Sequence, residues 1–150
     1  MRISILLSSL LLVGTAFGDD NETKVQFKDL PAAVQKTAKQ QETKGVTVRG
    51  YNKEIENGRT FYEVETRANG RTRDILLDEA GTVVEVEQEV ELGKVPVAAM
   101  EGLKKEAGGA NVQHVEHVTK GGKTSYEAVI LKNGKKKEIA VNGDGSTIHE

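Results

Sequence analysis

An internal repeat is the feature that most constrains how this chain can fold. The segment Gly58-Arg59-Thr60-Phe61-Tyr62-Glu63 recurs as Gly122-Lys123-Thr124-Ser125-Tyr126-Glu127, 64 positions later. The same offset of 64 relates Asn69-Gly70 to Asn133-Gly134. One single-residue gap brings the remaining similarities into line, so the sequence predicts a structural unit of about 60 residues that is written twice.

The pattern of each half predicts one helix followed by strands. The only two prolines, Pro31 and Pro96, stand at equivalent places, where the first turn of a helix tolerates a missing N–H. Apolar and small residues follow each proline at helical spacing, and a period-two alternation broken by Asn-Gly turns follows each helix. The strands are expected at 46–55, 59–67, 71–77 and 82–91 in the first half, and at 112–119, 123–132, 135–141 and 146–149 in the second.

The predicted fold class is therefore α+β, with two repeats of one helix plus a four-stranded antiparallel meander that share a sheet or a core. One face of the sheet should pack on the helices while the other faces water. In that arrangement Tyr62 and Tyr126 lie between sheet and helix, and Glu63 and Glu127 point to the exposed face.

The amino terminus has the pattern of a secretory signal peptide. A basic Arg2 precedes the apolar run 3–13, and small residues precede a cut between Gly18 and Asp19. A run of eleven residues, eight of them apolar and three of them serine, is too short to span about 30 Å of hydrocarbon. We therefore expect a signal peptide at 1–18, a first unit at 19–91, a second unit at 92–150, an exported location in the periplasm or outside the cell, and no membrane span in the mature chain.

Composition excludes several classes of function. The chain has no cysteine, which rules out disulfides, a thiol nucleophile and thiolate metal sites. Two separate units of about 60 residues would be marginal without disulfides, which favours a shared sheet or core. Residues 19–91 carry a net charge of −5 and residues 92–150 of +2, and tryptophan is absent. Nucleic acid is not an expected partner.

Those motifs resemble a known family. A helix opened by Leu30-Pro31 or Val95-Pro96, a Gly-Lys/Arg-Thr-x-Tyr-Glu strand, an Asn-Gly turn and a closing Asp78-x-x-Gly81 turn are similar to the PepSY-like superfamily. The likeness is to its exported tandem proteins described as β-lactamase-inhibitor-like, and it covers nearly all of Lys24 to Glu150. It implies the helix-and-meander unit, an envelope or extracellular location, and a role in binding or restraining peptidases or other envelope proteins.

The chain departs from that family in two ways. It lacks the Pro-Glu-x-Ser-Tyr pattern of PepSY peptidase propeptides, and it lacks the cysteines of the secreted β-lactamase inhibitor. Inhibition of a particular enzyme is therefore an extrapolation from the family.

Candidate catalytic and metal-binding residues are few. On a strand, His114 and His117 point to opposite faces and cannot form a ligand pair, and His149 stands apart near the carboxyl terminus. The segment Asn142–Ser146 resembles part of a Ca²⁺ loop, but the matching Asp78–Thr82 segment favours a plain turn in both halves. No nucleophile, phosphate-binding or dinucleotide motif is present. We expect no enzyme activity, no cofactor and no metal site.

Charged clusters are the candidate partner-binding residues. The alternative for each cluster is solubility and protection of the sheet edges. The clusters are the carboxylates Glu63, Glu65 and Glu127, the acidic strip Glu85, Glu87 and Glu89, and the hairpin lysines Lys135, Lys136 and Lys137.

The function predicted from these features is that of an exported, non-enzymatic binding module that uses its open sheet face on another exported or envelope protein. A second hypothesis is an envelope ligand or Ca²⁺-binding protein that uses the acidic strip and the Asn142–Ser146 turn. A hydrolase is a remote third.

Overall fold

Eight strands follow one another across a single antiparallel sheet, in the order in which they occur along the chain. A computed structural model describes residues 22–148. The elements are β1 Glu22–Val25, α1 Ala32–Gln41, β2 Val46–Glu56, β3 Arg59–Ala68, β4 Arg71–Asp78, β5 Val83–Val90, α2 Val97–Ala107, β6 Asn111–Lys120, β7 Lys123–Lys132 and β8 Lys135–Asn142, with short 3-10 turns at Phe27–Asp29 and Leu92–Lys94.

The expected fold class, α+β with two repeats of a helix plus a four-stranded meander, is wrong. Residues 22–148 form one eight-stranded sheet that carries two helices. The first unit gains β1 as an extra edge strand, which pairs with β2. In the second unit the expected strand 146–149 is reduced, in the part that is described, to a single bridge between Val141 and Thr147. The predicted signal peptide 1–18 and His149 lie outside the described residues.

Strand β5 removes the expected boundary between two meanders. Residues Glu85–Val90 of β5 pair with the segment from Val115 to Lys120 of β6, and the other edge of β5 pairs with β4. A meander that ended at β5 would leave one edge of that strand without hydrogen-bond partners. Because β5 is hydrogen-bonded on both edges, the sheet is continuous.

Both helices lie on the same face of the sheet, which we call the helix-covered face. Val34 and Ala38 of α1 pack with Tyr62, Val64, Ile75 and Leu77. Ala99, Leu103 and Ala107 of α2 pack with Val115, Tyr126, Ala128 and Val141. Val86 borders the first cluster and Val90 the second, and residues four apart on β5 share a face. The opposite face, which no helix covers in the described chain, is the helix-free face.

Two glycine-containing turns bring the helices close to the sheet. Gly81 and Gly145 have φ values of +75° and +82°, and each lies against the first turns of a helix. A Cβ atom at Gly81 would lie 2.5 Å from the carbonyl oxygen of Ala33, and one at Gly145 would lie 2.1 Å from that of Ala98. Each turn therefore combines a backbone conformation that favours glycine with a contact that leaves no room for a methyl group.

We expect Gly145→Ala to destabilise the protein more than Gly134→Ala does. Gly134 also has a positive φ, +73°, but nothing lies within 4 Å of a Cβ built there. The control should cost about 1–2 kcal/mol for the left-handed backbone, and Gly145→Ala should cost about 1–3 kcal/mol more because the helix must move. Urea unfolding of both variants measures the difference, and equal costs would contradict the close contact.

The predicted placement of Tyr62 and Tyr126 is confirmed, since each is 8% exposed and belongs to a helix-side cluster. Truncation of a buried aromatic typically costs about 3–5 kcal/mol. Tyr62→Ala and Tyr126→Ala should therefore each lower the free energy of unfolding by about that amount. Thermal or urea unfolding followed by circular dichroism tests this, and parent-like stability of both variants would exclude a core role.

Candidate functional site

The helix-free face carries carboxylates on every strand, and we call this set the acidic face. Strand alternation and the pairing register place the carboxylates side by side across the sheet. In one row Glu65 lies opposite Asp74, which lies opposite Glu87. In another row Glu89 lies opposite Glu116, which lies opposite Glu127. The set includes Glu22, Glu54, Glu63, Glu65, Asp74, Glu85, Glu87, Glu89, Glu116, Glu127 and Glu138.

This arrangement is unfavourable for the sheet alone. Side chains directly opposite one another on antiparallel strands have Cβ atoms about 4.5–5.5 Å apart, and like charges at that distance are destabilising. The acidic face repeats such pairs on successive strands. Edge protection does not account for this, because most of these carboxylates are on interior strands of the sheet.

Several of these acids are buried although neither of the two described helices covers them. Glu63 is 2% exposed, and Glu85 and Glu87 are each 4% exposed. Neighbouring long side chains cover one another, and the apolar side chains Phe61, Leu76, Val118 and Val129 lie buried on the same face. The expectation that Glu63 points to a solvated surface is therefore wrong, although it does lie on the face opposite Tyr62.

Burial changes the protonation of these acids. Burial raises the pKa of Glu63 to about 8, the hydrogen bond from Asn52 opposes the rise, and the charges of Asp74, Glu54 and Glu22 add to it. Burial also raises the pKa of Asp74 to about 7, against the hydrogen bond from the Thr66 backbone. The face therefore holds protons near neutral pH that ordinary surface carboxylates would have released.

Asn52 organises one end of the acidic face. Its Nδ2 donates hydrogen bonds to Glu63 Oε2 at 2.7 Å and to Glu65 Oε1 at 2.8 Å. The residue is 1% exposed, and its Oδ1 is buried with no hydrogen-bond partner within residues 22–148. Glu22, Glu63 and Glu65, which we call the carboxylate trio, each present an oxygen within 4.8 Å of the other two.

Basic groups meet the acidic face in its other half. His114 Nε2 lies 3.2 Å from Glu116 Oε1, and His114 Nδ1 lies 4.0 Å from Glu89 Oε1. The Glu116 hydrogen bond raises the pKa of His114, burial opposes it, and the charges of Glu116 and Glu89 add to the rise. Lys120 Nζ lies 2.8 Å from Glu85 Oε2. The face thus already contacts basic side chains from its own chain.

The structure brings six of the nine predicted site residues together. Glu63, Glu65, Glu85, Glu87, Glu89 and Glu127 all lie on the acidic face. The lysines are exposed at the β7–β8 hairpin, where Lys136 shares that face while Lys135 and Lys137 point to the helix-covered side. His114 and His117 lie on opposite faces, as expected, and the His117 ring packs 5.3 Å from that of Tyr126.

The Asn142–Ser146 segment forms a turn that uses its own polar atoms. The backbone N–H of Asn142 donates to the Ser146 carbonyl, and Asp144 Oδ1 accepts hydrogen bonds from the Ser146 N–H and hydroxyl. The Asp78–Thr82 turn repeats the backbone pattern, with the Asp78 N–H donating to the Thr82 carbonyl. The oxygens that suggested a Ca²⁺ loop therefore satisfy the turn itself.

Sequence reasoning missed Glu22, Asn52, Glu54, Asp74, Glu116 and Glu138 as members of the site. Their alternation with apolar residues was visible for β4, β6 and β8, and combined with the hairpin registers it would have placed Asp74, Glu116 and Glu138 beside the predicted glutamates. Nothing in the four-residue β1 identified it as a strand, so Glu22 could not be placed.

The depression on the helix-covered side has few ionisable side chains. A depression of about 590 Å³ lies between α2 and the start of β6, and its lining includes Met100 and Val112. Lys104 is the ionisable residue of that lining. Within residues 22–148, neither helix has the length and apolar character needed to cross a bilayer.

Stability should fall as the pH rises from about 5 to about 8. Burial raises the pKa of Glu127 from 4.5 to about 7, the charges of Glu85, Glu138 and Glu116 add to the rise, and Lys120 opposes it. The folded state therefore keeps this proton more tightly than the unfolded chain. Its stabilising contribution is complete below pH 4.5 and is lost as the pH rises through about 7.

Urea unfolding at about pH 5 and about pH 8, without divalent cations, measures the loss in the free energy of unfolding. Glu127→Gln should reduce the loss by on the order of 1 kcal/mol. The exposed α2 residue Glu101 provides the control, and Glu101→Gln should keep the parent's pH dependence. A parent-like slope in Glu127→Gln would contradict the assignment.

Comparison with known proteins identifies the fold. No protein-family model and no curated protein sequence matches the chain. A solved protein from Bacteroides eggerthii, described provisionally as periplasmic, has a TM-score of 0.64 at 18% identity, over 80% of this chain and 86% of that one. A DUF2874 family protein from Bacteroides uniformis gives 0.62 at 20% identity, over 79% and 86%. A BLIP-like protein from Bacteroides fragilis gives 0.58 at 18% identity, over 80% and 84%. The chain therefore has the fold of these BLIP-like and DUF2874 family structures.

Proposed function

We propose that the chain is an exported, non-enzymatic binding protein of the periplasm, and that its acidic face binds a basic surface of another exported or envelope protein. The observation that carries the proposal is the set of carboxylates held side by side, and in part buried, on a sheet face that no described helix covers. Such a face is costly to fold, and a cationic partner would offset that cost.

Export is supported by two independent features. Residues 1–18 have the sequence pattern of a secretory signal peptide, and the expected location agrees with the periplasmic description of the B. eggerthii structure. The absence of cysteine is compatible with an oxidising compartment, because the chain has no thiols to pair wrongly.

The class of partner follows from the family resemblance. The resemblance implies a role in binding or restraining peptidases or other envelope proteins, and a BLIP-like structure shares this fold. A peptidase or another envelope protein with a basic patch is therefore the partner we infer. The internal contacts of His114 and Lys120 with face carboxylates are small-scale examples of the contacts that such a patch would make.

Hydrolase activity is a less well supported hypothesis for the function of the same acids. An acid pair that cleaves glycosides needs a substrate enclosed between the two groups, with one carboxyl protonated and the other ionised. On the acidic face the protonated candidates lie in continuous rows of acids across an open sheet. The depression beside α2 contains none of them. Binding without chemistry accounts for both the number and the spread of the carboxylates.

The proposal is tested with the mature chain immobilised against an extract of exported proteins at low ionic strength. The double variant Glu89→Gln/Glu116→Gln removes two half-buried carboxylates from the acidic face. It should weaken retention of the partner at least about tenfold, and added salt should weaken binding by the parent.

The matched control is Glu79→Gln/Glu101→Gln, which removes two exposed acids from a turn and from α2. It has the same net charge as the face variant and should bind like the parent. If both double variants lost the same amount of partner binding, the net charge of the protein rather than the acidic face would account for the loss. A partner retained by both variants as well as by the parent would exclude the acidic face as the interface.

A further inference from the structure

We propose that the outer edge of β8 binds an extended acidic segment of another protein, which adds to the sheet as a further antiparallel strand. One edge of β8 pairs with β7, and no further strand follows on the other edge within residues 22–148. We call the outer edge of residues Lys135–Ala140 the edge site. It lies beside the sheet rather than on the acidic face, and it does not depend on the protein-binding role proposed above.

The internal repeat makes β4 the counterpart of β8 and shows what such an edge accepts. In the first half, β4 pairs with β3 on one edge and with β5 on the other. The bridge between Val141 and Thr147 repeats the pair of β4 and β5 nearest their turn, Leu77 with Val83, at the same offset of 64. Within the described chain the second ladder ends at that bridge. The edge that β5 covers on β4 therefore has no strand on β8.

The backbone of β8 directs hydrogen-bonding groups at this edge. The N–H of Gly143 donates to the carbonyl of Thr124 on β7 at 2.9 Å, whereas the N–H of Asn142 donates to the Ser146 carbonyl on the other side at 2.8 Å. Residues two apart in a strand direct their N–H and C=O groups to the same side. The residues of the edge site that turn these groups away from β7 are therefore Lys136, Glu138 and Ala140. A strand that adds to the edge pairs with those groups.

The side chains of the edge site determine which strand fits. Three exposed lysines precede one acid and one apolar residue along the strand, in the order Lys135, Lys136, Lys137, Glu138 and Ile139. Opposite charges on directly opposed residues stabilise a pair of strands, and like charges destabilise it. The bridge at Thr147 sets the antiparallel direction. From its amino end, the partner strand should therefore carry an apolar residue, a basic residue and then a run of acids.

Ile139 provides the apolar contact for such a strand. It is half-buried and packs against the cluster that α2 forms with the sheet. Its counterpart 64 positions earlier, Ile75, lies opposite Val86 of β5, and Val86 packs against the first cluster. An apolar residue opposite Ile139 would take the position in the second half that Val86 has in the first. The first half thus contains the kind of contact that we infer for the partner.

Lysines on an edge strand also protect a sheet from pairing with the edges of other sheets. In β8 the lysines occupy one end of the strand, and residues 138–141 continue without a basic side chain. Such an edge repels a basic strand, but an acidic strand gains an opposite charge at each lysine. The edge therefore discriminates between partners by charge, which favours an acidic segment over other extended segments.

Titration of residues 19–150 with the acetylated and amidated peptide Thr-Val-Lys-Glu-Glu-Glu at low ionic strength tests the proposal. Calorimetry should give one peptide per chain, and the peptide should shift the backbone amide NMR signals of Lys136, Glu138 and Ala140. The peptide Glu-Lys-Glu-Val-Glu-Thr has the same composition in an order that does not match the edge. It should bind at least about fivefold more weakly, and added salt should weaken binding of the first peptide.

Two variants separate the backbone contribution from the charge contribution. Ala140→Pro removes an N–H that points away from β7, so the ladder with β7 is kept, and it should weaken binding of the first peptide at least about tenfold. Lys135→Gln/Lys137→Gln removes two exposed charges of the edge site and should weaken binding at least about fivefold. The matched control Lys28→Gln/Lys36→Gln removes two exposed lysines of the first half and should bind like the parent.

The lysine variants keep the test decisive even if Ala140→Pro folds poorly. Absence of binding by the parent, parent-like binding by a folded Ala140→Pro, or equal losses in the two lysine double variants would each overturn the edge site. A dimer of the parent that Ala140→Pro dissociates would assign the edge to a second copy of the chain and would also overturn the proposal. None of these outcomes bears on the acidic face, which is tested at Glu89 and Glu116.

Discussion

The contact between two short helices and one face of the sheet is the interaction on which the rest of the structure depends. Each helix has only two or three fully buried side chains, and several of them are alanines. Such a small helix face can exclude water only if its axis lies very close to the sheet. The turns that contain Gly81 and Gly145 make that approach possible, because no Cβ separates them from the helix backbone.

The helix-covered face consequently supplies the stability that the acidic face reduces. Ile75 and Val64 are fully buried in the first cluster and Leu103 and Val141 in the second. On the other side of the same strands, buried acids oppose folding through desolvation and mutual repulsion. A single strand such as β4 contributes both to the stabilising apolar packing, through Ile75 on one side, and to the destabilising burial of acids, through Asp74 on the other. Because the sheet is continuous, apolar packing anywhere along the helix-covered face can support acids anywhere along the acidic face.

Much of this could be predicted from the sequence, because period-two alternation is a strong signal in hairpins with Asn-Gly turns. The strands β2 to β8, the start of each helix after a proline, and the assignment of Tyr62 and Glu63 to opposite faces all follow from it. The predicted division into two meanders was wrong, because alternation does not reveal which strand edges pair, and β5 pairs with β6 as well as with β4. The same sequence of β5 fits the last strand of one meander and an interior strand of one sheet equally well.

The burial of the acids could not be predicted for a different reason. Alternating glutamates on a solvated face and alternating glutamates that cover one another have the same pattern, and only the lateral register distinguishes them. Asn52 illustrates this limit. In the sequence it is a polar residue between Tyr51 and Lys53, and its meaning appears only when β3 places Glu63 and Glu65 within hydrogen-bond distance of its amide.

A face of this kind must be neutralised, and three agents can do it: protons, a bound cation, or cationic side chains. The three compete, because each occupies the same carboxylate oxygens. The chain already uses two of them at different ends, with protons held near neutral pH at Glu63 and basic side chains held at Glu116 and Glu85. A ligand that binds the acidic face must therefore displace protons or internal basic groups, and its affinity is linked to pH by the same carboxylates that weaken the fold. A cationic ligand of this face should therefore bind more weakly as the pH falls or as the ionic strength rises.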